Sequence, residues 1–277
     1  MQPVIFHILL LSLVFFFQDV YPEHPLLERV ESNIAISSTE KKACLPFLMR
    51  DNHPIKPILD KLFQDRVVFN LETFLKAGFK IISDLPQKKI IVATHPELGG
   101  FVVKVFLDSV PVNKNGDPNW KWLYRRAFLA SQIRKFIKKN NINRFRGVHK
   151  WLYPLPNNQK EGIDNHWVLV AEKMPLRSPL DCLEFWKTKV KVQDLKELYK
   201  IMKHCGGQSY RPDNIPITID GRFVFIDTEY PHLPPIYKEI LPYISDEMGS
   251  FWKLHVLSHE LSQSSSIDSL ARKRKKI

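Results

Sequence analysis

The stretch Gln208-Ser209-Tyr210-Arg211-Pro212-Asp213-Asn214 decides how this chain is read, together with Phe225-Ile226-Asp227-Thr228-Glu229, whose Asp227 lies thirteen residues beyond Asn214. An Asn and an Asp at that separation are an oxygen-donor pair that can hold a magnesium ion against the phosphates of a nucleotide triphosphate. Between them run two alternating apolar segments, Ile215-Pro216-Ile217-Thr218 and Phe223-Val224-Phe225-Ile226, across Asp220-Gly221. Asp-Gly between such runs is a strong hairpin signal.

Upstream of this pair the hydrophobic period changes twice. Ile58, Leu59, Leu62 and Phe63 mark an amphipathic helix, and apolar contacts continue through Phe74 and Leu75 to Gly78. After Gly78 the spacing predicts three antiparallel strands, Phe79–Ile82, Lys89–Ala93 and Phe101–Phe106, with turns at Asp84–Gln87 and His95–Gly100. Leu123, Ala127, Ala130, Ile133 and Ile137 predict a long helix between Trp120 and Lys139. Trp151–Tyr153 and Trp167–Glu172 read as two more strands around a polar loop at 157–165. Beyond Pro179 the pattern is mainly helical, over Val192–His204 and Ile236–Leu261.

In this order the pieces resemble a protein kinase. Lys89 to Asp108 (KIIVATHPELGGFVVKVFLD) is similar to the second and third strands of a kinase small lobe, with Val102-Val103-Lys104 in place of V-A-I-K. Val168 to Asp181 resembles the strand and hinge between the lobes. Ser209 to Asn214 resembles the catalytic loop, with Arg211 where kinases commonly carry a Lys, and Asp227 falls on the first residue of D-F-G. The resemblance implies an α+β, two-lobed kinase-like fold, with a five-stranded antiparallel small lobe and a reduced, mainly helical large lobe. It also implies ATP and Mg2+ as ligands, Lys104, Glu172 and Met174 against the nucleotide, and Asn214 and Asp227 on the metal.

Several positions depart from that family. Ser209 stands where the catalytic-base Asp belongs, and a neutral hydroxyl does not accept a proton as a carboxylate does. Asp213 and Glu229 are the alternative bases. No Asp or Glu occurs from Asn119 through Asn140 to pair with Lys104; Gln132 offers only a neutral hydrogen bond. Ser83–Lys88 replaces the glycine-rich loop without one glycine, and Thr228-Glu229 replaces F-G. The expectation is a pseudokinase-like protein that binds Mg-ATP without efficient phosphoryl transfer. The alternatives are an atypical kinase using another base, or an interaction scaffold with no nucleotide.

The 277 residues, 44% hydrophobic and 25% charged, are ordinary for a folded chain, and the formal charge of +12 favours anionic partners. A nucleotide, a protein partner and an anionic membrane surface touched by Arg272–Lys276 fit this balance; nucleic acid is disfavoured. Val4–Phe17 is almost uninterruptedly apolar but shorter than the roughly 20 residues of a spanning helix. It reads as an export signal or anchor, and without that role the chain would be cytoplasmic. The expected organisation is 1–20 signal or anchor, 21–56 linker, 57–262 kinase-like domain dividing near 173/174, and 263–277 basic tail. Cys44, Cys182 and Cys205 lack paired spacing and read as buried or free thiols. His255 and His259 share a helical face without the H-E-x-x-H pattern, and read as surface or packing residues.

Overall fold

A computed structural model describes residues 36–82, 90–109, 117–155, 166–227 and 229–274, with side chains of the last helix described to Glu260. The expected N-terminal signal and the glycine-free loop at 83–88 lie outside these residues.

The chain builds a five-stranded, wholly antiparallel sheet from β1 (Lys80–Ile81), β2 (Ile91–Thr94), β3 (Phe101–Val105), β5 (Lys150–Pro154) and β6 (Trp167–Glu172), in the order β1-β2-β3-β6-β5. Strand alternation sends successive side chains to opposite faces. Val103, Val105, Tyr153, Val168 and Val170 therefore join one apolar cluster, with Leu59, Phe63, Phe74 and Phe79 from the preceding segment. Leu152, Trp167 and Leu169 join another, with Leu123 and Ala127 of the long helix α4 (Asn119–Lys139). Lys104 occupies an even position of β3, opposite Val92 and Leu169, and so shares the face that α4 covers.

Residues 36–49 correct the expectation of a linker over 21–56. A capping box closes α1 (Ser38–Cys44): Glu40 N–H donates to Ser37 Oγ at 3.3 Å and Ser37 N–H to Glu40 Oε2 at 3.2 Å. Ile36, Cys44, Leu48 and Met49 are then buried, and Met49 N–H donates to the Leu152 carbonyl at 3.0 Å. Two further short helices, α2 (Lys56–Leu62) and α3 (Leu71–Lys76), lead into β1.

After β6 come α5 (Pro179–Thr188) and α6 (Val192–Cys205), and then the hairpin foreseen at Asp220-Gly221. Thr218 N–H donates to the Arg222 carbonyl at 2.9 Å, and Gly221 supplies the positive φ of 82° that the turn requires. One arm, β7 (Phe223–Phe225), pairs in parallel with β4 (Phe145–Gly147), a pairing no local pattern announced. Phe145 stacks on Phe223 with centroids 4.8 Å apart. The single helix expected over Ile236–Leu261 is divided. Pro242 has no N–H to give, and a 3-10 segment at Tyr237–Tyr243 precedes α7 (Asp246–Arg274). That helix extends through Arg274, so much of the expected solvated basic tail forms its last turns. Among the described residues no helix is long and apolar enough to cross a membrane.

Candidate functional site

The turn from α6 into the 208–214 loop is made by Gly206 and Gly207, at φ 65° and 90°. A Cβ on Gly207 would lie 2.6 Å from Leu129 Cδ2 and 2.9 Å from the Glu229 carbonyl, so only glycine fits without displacement. Ser209 itself is left-handed, at φ 71°. Its amide and that of Tyr210 both donate to Glu239 Oε2, at 3.1 and 3.2 Å, which pins the loop from the 3-10 segment. Asn214 is buried; its Nδ2 donates to the Ser209 carbonyl at 2.8 Å, and its own carbonyl accepts from Ile226 and Asp227 N–H at 3.0 and 3.4 Å. The hairpin thus returns Asp227 to the foot of the loop.

Asp227 is not left open to a metal. Its Oδ1 accepts from Lys104 Nζ at 3.1 Å and from Arg126 Nε at 3.0 Å. The same Arg126 guanidinium also donates to Glu229 and lies over the Trp122 ring, 5.4 Å from its centroid. Lys104 and Arg126 are buried at 8% and 3% exposure. Lys150, 3% exposed at the start of β5, lies on the same sheet face as Lys104. Burial first and then Lys104 draw the Lys150 ammonium well below the usual lysine range, against the pull of Asp227. Burial alone would raise the Asp227 carboxyl, but Arg126, Lys104 and Lys150 outweigh it and hold it far below the carboxylate range.

Relative to the arrangement expected from the sequence resemblance, the charges are therefore inverted. The helix over the sheet offers Lys104 a cation as neighbour, and both cations share the carboxylate expected on the metal. A magnesium ion at Asp227 would stand beside two cations already bonded to its one engaged oxygen, so the residues present fit that ion poorly. Among the described residues no cluster of three His, Cys, Asp or Glu side chains is placed to hold a metal.

The remaining candidates are dispersed. Asp213 is exposed and bonded to Arg211 at 3.1 Å. Glu229 is held by Arg126. Glu172 points away from Lys104: its Oε2 accepts from His149 N–H at 3.0 Å and lies 3.7 Å from Arg146. Met174 is half-buried in the segment that crosses from β6 to the hairpin, where Ile219 N–H donates to the Pro175 carbonyl at 2.9 Å. All three cysteines are buried free thiols. His255 and His259 pack edge-on to Tyr199, with centroids 5.0 and 5.1 Å away.

Arg126, Lys150 and Glu239 are the site residues that sequence reasoning missed. Arg126 carries the one available signal, since it adjoins Ala127 and lies one turn from Leu123 and Ala130, on the margin of the stripe that faces the sheet.

No protein-family model matches this chain, and no curated protein matches it. Among solved structures it is similar to a MAP kinase from Leishmania major, at 13% identity and a TM-score of 0.28, over 58% of this chain and 50% of that one. The chain spans about half the length of that protein.

Proposed function

We propose that this chain is a kinase-like module that binds the phosphates of a nucleotide and does not transfer them, with Arg126 bringing the positive charge that a magnesium ion would otherwise bring. The observation that carries this reading is the sharing of Asp227 Oδ1 between Lys104 and Arg126. Phosphoryl transfer needs positioning, charge compensation and a group to accept the hydroxyl proton. Here Lys104 and Arg126 supply charge. Ser209 supplies no carboxylate, and Asp213 and Glu229 are each engaged by an arginine. The five-stranded antiparallel sheet, with a lysine on its third strand under a long helix, supports a kinase-like small lobe over about 57–173 and a helical large lobe from 174 to 262.

The test is a thermal shift of the full chain titrated with ATP in excess EDTA and in excess magnesium. The expected result is the same shift in both, approaching about 2.7 kcal/mol of stabilisation at a hundredfold excess over Kd. In Arg126→Gln the shift should require magnesium, because Asp227 is then free of one cation. A wild-type shift that needs magnesium would show Arg126 displaced and the conventional arrangement restored. No shift at saturating nucleotide would leave the interaction scaffold as the function.

A further inference from the structure

A second cationic feature lies along α4, beyond the Asp227 cluster. A cleft of about 610 Å³ opens between the last turns of that helix, the turn at 141–143, β4 and the hairpin. Arg134, Lys135 and Lys138 of α4 line it together with Arg146 of β4 and Arg222 of the hairpin, and among the described residues no Asp or Glu does. Two carboxylates contact its lining residues: Glu172 is 3.7 Å from Arg146 and 3.9 Å from His149, and Asp220 is bonded to Arg222. Lysines in the last turns of a helix complement its dipole, which accounts for Lys138. It does not account for arginines delivered to the same cleft from two other elements.

We propose that this cleft binds a compact ligand carrying clustered phosphate groups. Its volume falls in the range of small-molecule sites. Of its apolar lining residues, Ile142 and Phe145 are only 6% and 3% exposed, and Ile137 is half-buried. Arg134 is prepositioned, with Nη1 donating to the Val148 carbonyl at 2.8 Å. Burial pulls its pKa down, and a bound anion would relieve that cost. The guanidinium fork of Arg146 suits a bidentate phosphate contact, and Arg222, held by Asp220, adds positive charge at the rim. A free polyphosphorylated small molecule and a phosphorylated lipid headgroup share this chemistry.

Calorimetric titration of the full chain with inositol hexakisphosphate at about 150 mM salt tests the site against ordinary screening. Flotation with phosphatidylcholine vesicles, with and without a polyphosphoinositide, identifies the source. We expect saturable one-to-one binding that Lys135→Glu/Lys138→Glu weakens about tenfold or more, which is about 1.4 kcal/mol. The milder Lys135→Gln/Lys138→Gln should weaken it in the same direction. Lys196→Glu/Lys200→Glu makes the same charge change on α6, in a neighbouring groove, and should leave binding within about twofold. Binding should also survive Arg126→Gln, which separates this site from the nucleotide site. No saturable binding, or equal loss in both glutamate pairs, would overturn the proposal. Capture by polyphosphoinositide vesicles would identify a headgroup as the ligand; binding of the soluble phosphate alone would identify a free metabolite.

Discussion

Lys150 is enclosed beside two cations, Lys104 and Arg126, and replacing it should relieve that burial and repulsion. Lys150→Met is expected to raise Tm at pH 7 by a few degrees, or about 1 kcal/mol, since Asp227 keeps Lys104 and Arg126. The sign with pH follows from the direction of the shift. A lysine drawn below its unfolded value favours the neutral form when folded, so its cost is absent above about pH 10.4 and grows as pH falls toward the folded value. The gap in Tm between Lys150→Met and wild type should therefore narrow toward alkaline pH. A gap that widens there would contradict the assignment. Ser209→Asp is compatible with the loop backbone, because Asp tolerates the left-handed region better than most residues. By itself it should leave phosphate transfer undetectable, as Arg126 still covers Asp227. Only together with Arg126→Gln, in magnesium, should radiolabelled transfer appear, with general-base catalysis then worth about 10² to 10⁴ in rate. Transfer by the single variant would show that Arg126 is no obstacle.

The segment before α2 behaves as part of the body. A chain beginning at Asn52 loses Ile36, Cys44, Leu48 and Met49 from the interior, and should unfold at distinctly lower denaturant concentration. Met49→Ala in the full chain should cost about 2 to 5 kcal/mol, read from the shift in the urea midpoint. The α6-to-loop turn is equally demanding. Gly207→Ala combines a positive φ with a Cβ too close to a backbone carbonyl, and should lower Tm by several degrees and blunt any nucleotide response. Unchanged melting would mean that the turn relaxes freely.

With a formal charge of +12 the whole chain repels itself, and two clefts lined by lysine and arginine concentrate that charge around the end of α4. Raising sodium chloride from about 20 to 300 mM should therefore raise Tm, because exposed like charges are screened while the buried Lys104–Asp227 contact is screened little. A fall in Tm over that range would mean that surface ion pairs dominate the balance.

Local pattern alone determined most of the element order. Period-two runs placed the five strands, the stripe from Leu123 to Ile137 placed α4, and Asp220-Gly221 placed the hairpin, because each signal is written within a few neighbouring residues. The alternation also fixed which face of β3 Lys104 would join. What covered that face was beyond local reach. Arg126 is one arginine among several on α4, and only packing of the helix on the sheet, with the hairpin returning Asp227 beneath it, turns it into a buried partner 3.0 Å from that carboxylate. Lys150 reads as an ordinary strand-end lysine until β6 and α4 enclose it. The parallel pairing of β4 with β7 joins residues nearly eighty apart, and so left no local trace. Residue identity set which charges were available; tertiary packing decided which of them share one carboxylate, because burial and distance, not sequence spacing, fix the electrostatics.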